Sequence, residues 1–118
     1  MIGTMPLVDV SFDPRLDSAD LARIAGVLRD VVPLAVECPE EPIVGPLGPG
    51  DLEIRFRPRG VHDVGELMVV IEVRTKRFAS RLANVQDRSD MIRDRVAALA
   101  IGPVGVWLML FDGGWSQA

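Results

Sequence analysis

The chain has 118 residues, 48% of them apolar and 25% charged, with a net charge of −4. That is the length of one domain, able to bury roughly two-thirds of its unfolded surface, and the composition is that of an ordinary globular protein. No run approaches the roughly 18–20 apolar residues of a membrane span, no basic segment leads into an apolar one as in a secretory signal, and an acidic chain lacks the basic face that phosphate binding needs. The expectation is a single cytoplasmic domain over residues 1–118, with neither a membrane nor a nucleic-acid partner.

The first element is Met5-Pro6-Leu7-Val8-Asp9-Val10-Ser11-Phe12. Val8, Val10 and Phe12 alternate with Leu7, Asp9 and Ser11, the period of a β-strand with two unlike faces. Met5-Pro6 leads into it, behind a leader of residues 1–4. If translation starts at Met5, removal of that methionine leaves Pro6 with a free secondary amine. If it starts at Met1, Pro6 is a tertiary amide with no basic lone pair.

Asp13-Pro14-Arg15 turns the chain, and Asp17 or Ser18 offers a helix N-cap. Leu21, Ile24, Ala25, Leu28, Val31, Val32 and Ala35 then recur at helical spacing, predicting an amphipathic helix laid on a sheet. Pro33 is expected to end or kink it, since an interior proline removes a backbone donor and clashes with the preceding turn. Residues 39–50 hold four prolines and three glycines and read as a long loop.

Residues 52–58 alternate: Leu52, Ile54 and Phe56 toward the core, Glu53, Arg55 and Arg57 on the other face, with Pro58 marking an end or an edge. Residues 67–73 form a third strand, so nearly continuous in apolar residues that burial on both faces is expected. A helical region lies within residues 78–100, with Leu82, Val85, Ile92, Val96 and Leu99 on one face. It is either one long helix or a loop followed by a helix capped at Ser89. Ile101-Gly102-Pro103 stops it, and residues 104–111 form the fourth strand, again apolar on both sides.

The fold class is therefore α+β: two β-α-β units, each a parallel strand pair joined by a right-handed crossover. Side by side they give a four-stranded sheet with both helices on one face. The bare face, with strands as apolar as the third and fourth, implies burial against other copies of the chain and so a homo-oligomer.

Few residues suggest metal or thiol chemistry. Cys38 is alone, which excludes an internal disulfide and a cysteine-based metal site, and reads as a small buried hydrophobe at a helix end. His62 is the one histidine, in a loop-like stretch, and cannot make a typical zinc site by itself. No metal is expected. The twelve arginines against a single lysine, Lys76, fit either planar recognition of carboxylates or a genome-wide codon bias.

Met5-Pro6 opening the first strand, the two β-α-β units, Gln86-Asp87-Arg88-Ser89 on the second helix, Val106-Trp107-Leu108-Met109-Leu110-Phe111-Asp112 and the tail residue Trp115 together resemble the tautomerase superfamily. The branches most similar are those of macrophage migration inhibitory factor and 5-carboxymethyl-2-hydroxymuconate isomerase. The resemblance runs from Pro6 to Trp115 in scattered positions. It implies a homotrimer with active sites at subunit interfaces, no cofactor, and a small α-keto or enol carboxylate as substrate.

In such a family Pro6 matches the N-terminal proline whose amine is the base. Arg55 falls where a substrate-binding arginine is found on the second strand, with Arg57 as its same-face neighbour. Arg15 lies one residue short of another family arginine, and Val73 falls near a site-lining residue at the end of strand three. Trp107 and Met109 stand where the inhibitory-factor branch has a tyrosine and an asparagine. Met109 cannot donate a hydrogen bond as asparagine would, and the lysine expected after the first helix is absent, so the substrate is expected to differ from that branch's. The alternative function is a non-catalytic trimeric binding protein in which Pro6 is blocked by residues 1–5. Structural roles compete at each position: Arg55 and Arg57 as ion-pair partners of Glu53 or of a neighbouring subunit, Arg15 as a surface residue, Trp107, Trp115 and Met109 as packing.

Overall fold

The computed structural model describes residues 6–41, 51–116 and 118. The leader, and residues 42–50 of the Pro/Gly-rich segment, lie outside the described residues. The elements run β1 (Leu7–Phe12), α1 (Ser18–Val36), β2 (Glu53–Pro58), β3 (Val69–Lys76), α2 (Ala79–Ala83), α3 (Val85–Ala97) and β4 (Val104–Phe111). They form one sheet in the order β2-β1-β3-β4. β1 runs parallel to β2 and β3 parallel to β4, while the two units meet antiparallel at β1–β3.

One face of the sheet is covered. Val8 and Val10 of β1 and Val69, Ile71 and Val73 of β3 pack with Ile24, Leu28, Val31, Val32, Ala35 and Val36 of α1 and with Ile92 and Val96 of α3. Alternation puts the other side chains on the open face. The register aligns them in rows, one of which reads Arg55, Asp9, Glu72, Trp107 from edge to edge.

α1 begins with a capping box: the Asp20 N–H donates to the Asp17 carboxylate at 2.9 Å and the Asp17 N–H to the Asp20 carboxylate at 3.1 Å. This satisfies two otherwise orphaned donors. Of the two outcomes expected at Pro33, an end or a kink, the end does not occur: the helix runs on to Val36. An interior proline costs about 3 kcal/mol. Burial of Val31, Val32 and Val36, at about 1.5 kcal/mol or more each, outweighs it, and the proline ring is itself buried.

The second helical region takes neither expected form. It breaks at Asn84 (φ −136°, ψ 37°) into α2 and α3. Helical phase is not carried through the break, so Leu82 is 51% exposed while Ile92 and Val96 are buried. Ser89 caps nothing; it is buried within α3, where its hydroxyl donates to the Val106 carbonyl of β4 at 3.1 Å. Gly102 has φ +117°, and a Cβ there would lie 2.5 Å from Met68 Cγ, so the turn into β4 requires glycine.

β3 lies later than expected and is apolar on one face only. Pairing with β1 and β4 carries it to Lys76, and its open face presents Val70, Glu72, Arg74 and Lys76. The apolar part of the open face belongs to the edge strand β4, where Trp107 is 68% and Phe111 41% exposed. Cys38 is half-buried, two residues beyond α1, and His62 is exposed.

The segment after α1 is tied to the second helical unit by side chains. The Ser80 backbone N–H at 3.0 Å and the Ser80 hydroxyl both donate to Glu40, and the hydroxyl bond above all holds that carboxyl below its ordinary value. A carboxyl lowered in the folded state stabilises the fold above its unfolded pKa of about 4.3, and the contribution is lost as pH falls through the folded value. Urea unfolding should therefore show a larger stability loss between pH 6 and pH 3 for the wild type than for Ser80→Ala. Equal losses would mean that the link contributes nothing.

Candidate active site

A cavity of about 170 Å3 opens at the head of β1, lined by Leu7, Val8, Asp9, Glu53, Arg55 and Trp115. That is below the roughly 300 Å3 at which pockets for drug-sized ligands begin, and suits a small organic acid. β1 and β2 place the lining by register: Leu7 opposite Glu53 and Asp9 opposite Arg55. The tail after β4 brings Trp115, 39% exposed, to this cavity from the far edge of the sheet.

Pro6 stands immediately before the lining residues. It is buried, and its carbonyl accepts the Glu53 N–H at 3.2 Å, so the start of β1 is locked to the start of β2. Asp9 is held by Arg74 at 2.6 Å and faces Arg57 at 3.7 Å, and Arg74 also reaches Glu72 at 3.3 Å. Arg55 is more open, 73% exposed, with Glu53 3.9 Å from its Nε. A pair so exposed contributes at most about 1 kcal/mol. The Arg55 guanidinium can therefore turn to an incoming carboxylate at little cost.

The sequence-derived residues do not all meet here. Pro6 and Arg55 do. Arg57 is one row along, turned to Asp9. Arg15 lies past the opposite end of β1, a strand of six residues and thus about 20 Å away, where its guanidinium holds Asp13 at 3.0 Å and touches the Met68 sulfur. The Arg15 hydrogen bonds pull the Asp13 carboxyl down to about 2. Val73 faces the helices with no exposed surface, because its position in the β3 alternation puts it on the covered side. Trp107 and Met109 are on the open face but on β4, three strand spacings of about 4.8 Å from β2. Within one chain they do not line the cavity.

Sequence reasoning missed Arg74, whose position late in β3 fell beyond the expected strand end. It missed Glu53 and Asp9 as lining residues, although the alternation that exposed Arg55 exposes them too. Among the described residues, no group of three or more histidine, cysteine, aspartate or glutamate side chains could hold a metal, and no helix is long and apolar enough to cross a membrane.

No family model matches the sequence, and no curated protein does. Solved structures match along nearly the whole length. MIF2 from Leishmania major superposes with a TM-score of 0.61 over 96% of this chain and 95% of that one, at 12% identity. A 5-carboxymethyl-2-hydroxymuconate delta-isomerase gives 0.60 over 98% and 91%, at 18% identity. The macrophage migration inhibitory factor-like protein of Entamoeba histolytica gives 0.56 over 98% and 96%, at 12% identity.

The fold is the one that these solved structures share. In this fold the parallel pairing of β1 with β2 places the head of β1 beside the head of β2. The cavity forms there because both strands start at the same level and the tail of β4 closes one side.

The Gln86-Asp87-Arg88-Ser89 segment makes its contacts on α3, away from the cavity lining. Arg88 donates to the carbonyls of Ala35 (2.9 Å) and Glu37 (2.7 Å) and to Asn84 Oδ1 (2.6 Å). It thereby ties the end of α1 to α3, while Ser89 ties α3 to β4.

Proposed function

We propose that the protein, in a form beginning at Pro6 after removal of Met5, is a cofactor-independent keto–enol tautomerase or isomerase of a small α-keto carboxylate. The observation that supports this reading is buried Pro6 directly before Leu7, which lines a small cavity together with Arg55, on a fold shared with tautomerase-superfamily structures. A free α-amino group has a reference pKa of about 7.7–8.0. Burial and the nearby Arg55 disfavour its charged form, while Asp9 and Glu53 oppose that shift; each of these carboxylates has an arginine against it. As general base and then acid the amine would move the proton between the enol oxygen and carbon in a tautomerisation, or between two carbons in an isomerisation. Arg55 would hold the carboxylate by a bidentate pair, with Leu7 and Trp115 packing against the substrate's apolar part.

The proposal includes a homotrimer in the cytoplasm. The apolar residues Trp107, Met109 and Phe111 on edge strand β4 support assembly, since an exposed apolar edge invites a further strand or subunit. An adjacent subunit could then bring Trp107, Met109 or Arg15 to the cavity. Light scattering should give three times the monomer mass, and a monomer would overturn this part.

The direct test expresses the chain from Met5, verifies Pro6 as N-terminal residue by mass, and follows ketonisation of phenylpyruvate enol. Turnover should fall by about 10²–10⁴ in Pro6→Ala, the range for loss of a general base. Turnover no greater than that of Pro6→Ala would sink the catalytic reading. A second reading, a non-catalytic binding trimer on the same scaffold, is favoured by Met109, which offers no donor where the inhibitory-factor branch has asparagine. It requires that Pro6 remain in peptide linkage, and an N-terminal Pro6 in the native protein, with activity, would dispose of it.

A further inference from the structure

The charge pattern of the cavity goes beyond what a proton transfer from Pro6 needs. Its lining carries one cation, Arg55, and two anions, Asp9 and Glu53. The anions are not equivalent. Asp9 is balanced by Arg74 at 2.6 Å and Arg57 at 3.7 Å, neither of which lines the cavity. Among the described residues Glu53 is paired with Arg55, loosely at 3.9 Å, with the Glu53 side chain 48% exposed. Glu53 and an incoming carboxylate therefore compete for the same guanidinium.

A ligand carboxylate that takes Arg55 displaces Glu53 and leaves its carboxylate beside the next atoms of the ligand. A second anionic group at that place is repelled. A hydroxyl there donates to Glu53 and restores the interaction that it lost, as a charge-assisted hydrogen bond. An α-enol carries such a hydroxyl on the carbon next to its carboxylate, whereas the α-keto form carries only an acceptor.

We propose that the cavity selects monocarboxylates bearing an α-hydroxyl donor and rejects dicarboxylates, with Glu53 as the residue that makes the distinction. The selection favours the enol over the keto tautomer. It rests on the preceding section's reading of the cavity as the ligand site, but not on the chemistry of Pro6. The test reads binding alone, so its failure and a failure of catalysis are separate results.

Phenylacetate, mandelate and phenylmalonate differ only in the α-substituent: hydrogen, hydroxyl or carboxylate. Each is titrated into the full chain while the Trp115 indole and Arg55 Nε resonances are followed by NMR. Mandelate should bind about tenfold more tightly than phenylmalonate, the scale of one like-charge contact near a protein surface. In Glu53→Gln, phenylacetate should bind more tightly than in the wild type, because its competitor for Arg55 is neutral, and the mandelate-to-phenylmalonate ratio should fall below about threefold. Equal binding of mandelate and phenylmalonate by the wild type would overturn the proposal. So would an unchanged ratio in Glu53→Gln, or the absence of any shift at Trp115 and Arg55 with all three acids.

Discussion

Replacing Arg81 by alanine should lower the folding stability by about 3–5 kcal/mol, the cost of breaking one side of a buried ion pair. The side chain is 1% exposed. Its Nε donates to the Val36 carbonyl at 2.6 Å and its Nη1 to the Lys76 carbonyl at 2.9 Å, with Glu41 at 3.4 Å. The guanidinium also lies 5.3 Å from the centre of the Phe78 ring. One residue thus satisfies the last turn of α1, the end of β3 and an acid that follows α1. Alanine would leave the buried Val36 carbonyl without its donor, at about 1–3 kcal/mol, remove a donor from the half-buried Lys76 carbonyl, deprive Glu41 of this cation, and open a cavity. A domain of this size is stable by about 5–15 kcal/mol, so thermal unfolding followed by circular dichroism should fall by more than about 10 °C. Arg81→Met, which keeps the packing, should recover only part of the loss. A shift of less than about 3 °C in Arg81→Ala would mean that the clasp is dispensable.

In the form that begins at Pro6, Arg55→Ala should lower kcat/KM by about 10²–10³, the range for removing one preorganised charge stabiliser. The fold should be unaffected, because the exposed Arg55–Glu53 pair contributes at most about 1 kcal/mol. Arg55→Lys keeps the charge but loses the planar fork and should recover only part of the rate. Arg57→Ala should cost less than about threefold, since Arg57 faces Asp9 rather than the cavity and an exposed pair of this kind contributes little. Equal losses from Arg55→Ala and Arg57→Ala would place the carboxylate elsewhere on the sheet face. Steady-state kinetics with matched unfolding curves separates these outcomes.

Much of the fold was legible because it is written in local periodicity. The alternation of Val8 and Val10 with Asp9, and of Leu52, Ile54 and Phe56 with Glu53, Arg55 and Arg57, states both the strand and its face. The stripe from Leu21 to Ala35 states the helix. The same alternation put Arg55 on the uncovered face, while its candidate role as a ligand came from the family resemblance. Val73 failed as a site residue for the converse reason: it shares its face with Val69 and Ile71, and that face is under the helices. Leu82 failed because a helical phase is meaningful only while the helix is continuous, and the backbone breaks at Asn84.

The charges that matter most for stability left no local sign. Arg81 sits in Ser80-Arg81-Leu82, where an arginine would ordinarily be exposed, and only the approach of the α1 C-terminus to α2 buries it. Arg55 matched a family arginine and Arg15 lay one residue short of another, and β1 separates the two by its full length. Trp115 reaches the cavity because the tail crosses from β4, a strand that is three positions from β2 in the sheet but last in the chain.

By itself the sequence determined the α+β class, the two parallel units, and the faces of β1 and β2. These follow from side-chain period, crossover handedness and turn chemistry, all of which act over a few residues. Only the tertiary structure decided the antiparallel junction of β1 with β3, the continuation of α1 through Pro33, the burial of Arg81, and the company of Asp9, Glu53 and Trp115 at the cavity. Each of these depends on contacts between residues far apart in the chain, whose free energies local propensity does not contain.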